Sequence, residues 1–265
     1  MQDFWINTNQ GKIYAACWGY TELANGKPPI ILIHDSLGCV ALWRDFPALL
    51  SSRTGHVVIA YDRLGFGKSD PYPGLLPQSF ISDEAIGTFD NVRSFFEIEN
   101  FVLLGHSVGG GMSVLSAGHY PNECVALITE SAQSFVEDRT LQGIRRAKQM
   151  FTSNRELRRL EKYHGSKATW VLSAWVDTWL SDSFISWNLD SALSRVKCPT
   201  LALHGENDEY GSDQHPKRIV SFSQGCSKMI IIPDCGHVPH REHRDFVLCA
   251  IEEFLPKALK LSYYL

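Results

Sequence analysis

The stretch Phe101-Val102-Leu103-Leu104-Gly105-His106-Ser107-Val108-Gly109 constrains this chain more than any other. An apolar run ends at a glycine, a serine follows two residues later, and a second glycine follows two residues after that. Gly110-Gly111-Met112 then opens a helix-like stretch reaching Tyr120. The pattern predicts a buried strand, a tight turn and a helix. Both flanking positions are glycine because the turn is too sharp for side chains that would meet neighbouring backbone. The serine sits at the apex, and the N-terminus of the helix, with its free N–H donors, is aimed at it.

A turn of that kind needs a sheet covered on both faces, and the rest of the chain supplies one. Near-continuous apolar runs recur at Lys12 to Trp18, Ile30 to Ile33, Val57 to Tyr61, Val125 to Ile128, Thr200 to Leu203 and Met229 to Ile232. Such runs suit parallel strands buried on both sides. Amphipathic stretches lie between them at Trp43 to Ser52, Ser82 to Phe96, Gly109 to Tyr120, Gln214 to Ser223 and Arg241 to Leu259. The alternation predicts a doubly wound α/β sheet with right-handed crossovers. The rhythm breaks after Glu130. Residues 134–190 show no good strand, so the expected organisation is a core over 1–133, a helical cap or lid over 134–190, and a second core part over 191–265.

Composition narrows the function classes. A chain of 265 residues with 44% hydrophobic content can bury one large core. A net charge of −4 does not suit a nucleic-acid surface, which needs a basic excess. No apolar run approaches the ~20 residues of a membrane span. The N-terminus Met1-Gln2-Asp3-Phe4-Trp5 lacks the basic-then-apolar order of a secretory signal. Seven scattered cysteines without a Cys-x-x-Cys pair read as reduced thiols, and a cytoplasmic location is expected. The histidines show no metal-ligand spacing, so no metal and no cofactor are expected.

A serine hydroxyl is a weak nucleophile at neutral pH and needs a base, which in turn needs an orienting acid. In an open parallel sheet these groups come from loops at the C-terminal ends of strands. Two later loops qualify. His204-Gly205-Glu206-Asn207-Asp208 follows one strand, and Pro233-Asp234-Cys235-Gly236-His237 follows the next. The candidate constellation is therefore Ser107 as nucleophile, His237 as base and Asp208 as acid. Glu130, at the end of its own strand, is the main rival to Asp208; Glu206 and Glu209 also compete. His240 and His243 read as structural or solvent-facing, and Asp62 and Asp70 as loop-holding residues. The oxyanion formed on attack needs two N–H donors. Val108 supplies one. Asp35 or Ser36, in the loop after Ile33, supplies the other, with His34 beside them as a candidate substrate contact.

The cap carries four of the seven tryptophans. Phe135, Met150, Trp170, Trp175, Trp179 and Trp187 are candidates to wall an apolar acyl pocket, or else simply fasten the cap to the core. Trp175 and Trp179 share a helix face. Seven basic residues between Gly143 and Tyr163 face only two acids. They form either a solvated helix face or an attractor for acidic substrates.

These residues together resemble the α/β-hydrolase superfamily. The resemblance rests on His34-Asp35, the Asp62-Arg63-Leu64-Gly65-Phe66-Gly67-Lys68-Ser69-Asp70 segment, the serine turn, His204-Gly205 with Asp208, and Gly236-His237. It covers nearly the whole chain outside the cap, and is nearest the small capped esterase, enol-lactonase and carbon–carbon hydrolase branch. It implies a cofactor-free fold with an eight-stranded, mostly parallel sheet and a helical cap after strand six. Serine at the turn argues against the dehalogenase and epoxide hydrolase relatives, which carry aspartate there. Many relatives have His-Gly where this chain has His34-Asp35, so Asp35 adds bulk and charge near the acyl site. The expected activity is hydrolysis of a small-molecule carboxylic ester. Lactone, thioester or carbon–carbon hydrolysis by the same triad, or a slow-turnover ligand receptor, are the alternatives. Oligomeric state is not readable from the sequence.

Overall fold

The computed structural model describes residues 1–20 and 26–262. Strands β1 (Gln2–Thr8), β2 (Gly11–Trp18) and β3 (Ile30–Ile33) lead to helix α1 (Phe46–Thr54) and strand β4 (Val58–Tyr61). Helices α2 (Phe80–Ile86) and α3 (Thr88–Phe95) precede β5 (Phe101–His106), α4 (Val108–His119) and β6 (Cys124–Glu130). Helices α5 (Asp138–Met150), α6 (Asn154–His164), α7 (Ala168–Trp179) and α8 (Asp190–Leu193) follow without a strand. The chain then completes β7 (Thr200–Gly205), α9 (Gln214–Phe222), β8 (Ser227–Ile232), α10 (Pro239–Glu242) and α11 (Arg244–Ser262).

The eight strands form one sheet in the order β1-β2-β4-β3-β5-β6-β7-β8, antiparallel at β1 and β2 and parallel from β4 onward. The alternation of strand side chains explains why it is doubly covered. Ile31, Ile33, Leu103 and Leu127 join one apolar core, while Ile30, Leu32, Leu104 and Ile128 join a second on the opposite face. Each fully buried aliphatic side chain contributes about 1.5–3 kcal/mol, so both faces specify the strand positions.

Two local readings needed the third dimension. The edge strand β1 carries mostly exposed residues, so it lacks the apolar run that marks the inner strands. The expected helix over Ser82 to Phe96 is two helices, because the backbone turns at Gly87 (φ −113°, ψ −105°). The stretch between β6 and β7 is helical, and its two ends lie side by side. Phe135 forms a β-bridge with Asn188, and the Leu189 N–H donates to the Ser134 carbonyl at 2.9 Å.

Candidate active site

Ser107 sits between β5 and α4 with φ of 56°, a left-handed conformation that costs energy for any residue other than glycine. A Cβ at Gly105 would collide with the Gly109 carbonyl, and one at Gly109 with the Ile33 carbonyl. The two glycines thus permit the close crossing that holds the serine in its strained position. The Ser107 N–H donates to the Glu130 carbonyl at 2.8 Å, tying the turn to the neighbouring strand.

From Ser107 a hydrogen-bonded chain runs across three strand-end loops. The Ser107 Oγ lies 3.0 Å from His237 Nε2, and His237 Nδ1 lies 2.9 Å from both Asp208 carboxylate oxygens. Asp208 is fully buried. Burial pushes its carboxyl up, but the charge and hydrogen bond of His237, the His204 ring and the Tyr210 N–H outweigh it and hold the pKa at about 2. Its Oδ1 accepts from the Tyr210 N–H at 2.8 Å and the Gly211 N–H at 3.2 Å. An ionised, anchored acid therefore fixes which His237 nitrogen carries the proton and leaves Nε2 free to accept one from Ser107. Glu130 does not reach His237; it pairs with buried His240 at 2.5 Å. Asp62 accepts from the Val40 N–H at 2.6 Å and the Lys68 N–H at 2.7 Å, and Asp70 from the Lys12 N–H at 2.7 Å.

The loop after β3 faces Ser107. His34 is buried beneath it, donates from Nδ1 to the Asp35 carbonyl at 2.8 Å and accepts the Arg63 N–H at Nε2 (3.2 Å). Arg63 also donates to the Asp35 carbonyl at 2.9 Å. His34 therefore staples the loop from behind and is not among the residues lining the cavity over Ser107. Burial and then Arg63 push its pKa well below the usual histidine value, so it stays neutral. Val108 opens α4, where the first N–H groups have no partner within the helix.

A cavity of about 230 Å³ opens above Ser107 and His237, walled by Asp35, Ser36, Trp175 and Trp179 among others. Four other expected wall residues lie elsewhere. Met150 is 62% exposed at the end of α5. Trp170 stacks on Tyr72 and donates to the Gly74 carbonyl at 2.8 Å. Phe135 lies against the His215 ring. Trp187 stacks on Phe184 behind Trp179. All four are held by aromatic or backbone partners, or point to solvent, and none lines the space. Leu37, Gln133, Thr140, Ile144, Tyr210 and Val238, none of them a candidate in the sequence, also line it, as does Glu209, which the sequence offered only as a rival acid. The Gln133 amide oxygen lies 3.3 Å from the Ser107 Oγ, a second and longer acceptor for its one proton, and the Tyr210 ring lies 4.8 Å from that of His237. Tyr210 directly follows the Asp208 loop, which was the one available signal.

The sequence matches the model of the alpha/beta hydrolase fold family over residues 28–243. The chain belongs to that family. This α/β-hydrolase is 27% identical over 247 residues to the serine hydrolase BPHL of Mus musculus, spanning 89% of this chain and 82% of that protein. Among solved structures it resembles VinJ, with a TM-score of 0.73 at 19% identity over 97% of this chain and 99% of that one. It also resembles a thermophilic esterase from Thermogutta terrifontis, with a TM-score of 0.69 at 21% identity over 97% and 99%. Family and relative support hydrolase chemistry on a small-molecule substrate. No helix among the described residues is long and apolar enough to cross a membrane.

Proposed function

We propose that this α/β-hydrolase cleaves carboxylic esters of small, fairly apolar acids through an acyl-enzyme on Ser107. The observation that carries the reading is the unbroken Ser107–His237–Asp208 hydrogen-bond chain at the floor of a cavity whose lining includes Leu37, Ile144, Trp175 and Trp179. The Ser107 Oγ attacks the ester carbonyl as His237 Nε2 takes its proton. The N–H groups of Val108 and of Asp35 or Ser36 receive the oxyanion. The tetrahedral intermediate collapses, the C–O bond to the alcohol breaks, and His237 returns the proton to the leaving oxygen. Water then repeats the sequence on the acyl-enzyme and releases the acid. Asp208 stays ionised throughout and steadies the His237 cation.

The cavity's charge favours uncharged acyl groups. The charged residues lining it are Asp35 and Glu209, and none of the seven basic residues between Gly143 and Tyr163 does so. With no lysine or arginine on that lining, nothing there compensates a second carboxylate on the acyl side. The helical segment 134–190 is proposed as the cap that sets acyl size through Trp175 and Trp179.

The test is a panel of p-nitrophenyl esters of graded acyl length, neutral and acidic, with lactones and thioesters alongside. Short neutral esters should turn over fastest, and Ser107→Ala should abolish that turnover. Wild-type rates in Ser107→Ala would overturn the assignment of the nucleophile. Negligible turnover across the panel, with ligand-dependent thermal shifts, would make the protein a receptor on this fold.

A further inference from the structure

A second set of buried ionisable groups lies directly behind Ser107. His106, the last residue of β5, is 2% exposed. Its Nε2 lies 2.8 Å from the His237 carbonyl oxygen. A carbonyl can only accept, so Nε2 carries a proton. Its Nδ1 faces the Asp35 carboxylate at 3.8 Å. A neutral ring protonated at Nε2 would turn the Nδ1 lone pair toward that carboxylate, whereas a doubly protonated ring presents an N–H and a positive charge. The other titratable groups around it come from separate elements. Glu130 ends β6 and pairs with His240 of α10, and the His237 and His240 rings approach the His106 ring at 5.1 and 5.0 Å. Trp43 covers the remaining edge.

We propose that His106 is a positioning residue, held as an imidazolium, that clamps the oxyanion loop through Asp35 and the base loop through the His237 main chain. This role rests on the proposed ester hydrolysis. His106 touches neither substrate nor the reacting atoms; it sets the separation of the two loops between which the substrate carbonyl must sit. The physical balance favours the charged ring. Burial works against it, but Asp35 first and Glu130 next outweigh burial and raise its pKa to about 9. The same contact, against the cost of burial, holds the Asp35 carboxyl well below the usual carboxylate range. One consequence is an alkaline limit on turnover. As pH rises through about 9 the ring loses its proton, Asp35 loses its cationic partner, and the loop that carries an oxyanion donor is loosened on its side-chain side while His34 and Arg63 still hold the Asp35 carbonyl. Loss should appear in kcat more than in KM.

Two measurements test this. Histidine-labelled protein without substrate is followed by ¹⁵N NMR, with His106 assigned through the backbone. At pH 7 both His106 ring nitrogens should be protonated. In Asp35→Asn, which keeps the side-chain shape and the backbone N–H, the His106 titration should move down by about 1–3 pH units. In parallel, the alkaline limb of kcat on a neutral ester should move down by a similar amount in Asp35→Asn, with kcat reduced roughly tenfold at pH 8. A neutral His106 at pH 7, or a titration unmoved in Asp35→Asn, would overturn the clamp. The NMR reading needs no turnover, so failure of the ester reading alone would leave a charged His106 in an inactive protein. His106→Asn should remove the alkaline limb while retaining some activity; should it fail to fold, Asp35→Asn carries the test.

Discussion

At the residue scale, two buried carboxylates compete for the same role and the structure separates them by their partners. Glu130 ends β6, Asp208 lies in the loop after β7, and each lies next to a histidine, yet only Asp208 contacts His237. In the proposed mechanism, Asp208→Asn removes the charge that steadies the His237 cation and reverses the hydrogen-bond preference at Nδ1. It should lower kcat by about 10⁴-fold, as expected for loss of the orienting acid in such a triad. Glu130→Gln should lower the melting temperature while costing kcat far less, because it leaves His240 without a charged partner in a dry environment. A larger kcat loss at Glu130 than at Asp208, measured on the same ester, would reverse the assignment.

At the element scale, the helical segment between β6 and β7, proposed above as the cap, supplies part of the cavity wall. Helix α7 contributes Trp175 and Trp179 to its wall. Trp179 is buried and braced by Phe184 and Trp187, whereas Trp175 is only partly buried and rests on Tyr210. Trp175→Ala should therefore enlarge the cavity without collapsing it. The acyl-length preference should shift to longer chains, with kcat/KM for the longest accepted ester rising roughly tenfold. The root of the segment is tied by the buried His215. Its Nε2–H donates to Glu137 at 3.0 Å, and its Nδ1 accepts the Ser134 N–H at 3.1 Å. His215→Ala leaves the buried Ser134 N–H without its acceptor and the part-buried Glu137 carboxylate with only its Ser212 donors, and should cost about 1–3 kcal/mol by chemical denaturation.

At the scale of the whole molecule, stability should depend on pH through a few buried groups. For Asp208 and Glu137 burial favours the neutral form, but His237 and His215 respectively outweigh it, and each carboxyl is held at about 2 against reference values of 3.8 and 4.5. A depressed carboxylate stabilises the fold above its unfolded pKa and loses that contribution as pH falls through its folded pKa. Unfolding free energy should therefore decline between about pH 4.5 and pH 2. Glu137→Gln should flatten part of that slope in urea titrations at stepped pH. His106 runs the other way. Its raised pKa makes its contribution complete below 6.5 and lost as pH rises through about 9.

The sequence by itself determined where the inner strands and the glycine-flanked serine turn lie along the chain, and it nominated Ser107, Asp208 and His237, because each is written in a local pattern. Apolar runs mark strands buried on two faces, and flanking glycines mark a backbone crossing. The edge strand β1 was not legible, since a strand with one sheet neighbour and an exposed face carries no continuous apolar signal. What only the tertiary structure decided depends on register between distant strands. Pairing of His106 with Glu130 across β5 and β6, and of Glu130 with Leu203 across β6 and β7, fixes which acid lies beside which imidazole. Packing of the loops beyond the strand ends joins His237 to Asp208, places His34 behind its loop, and brings Gln133 and Tyr210 into the cavity in place of Met150 and Trp170. A one-residue slip would exchange those neighbours while leaving every local motif intact. Motif spacing thus selects the chemistry, while three-dimensional packing selects the partners that tune it.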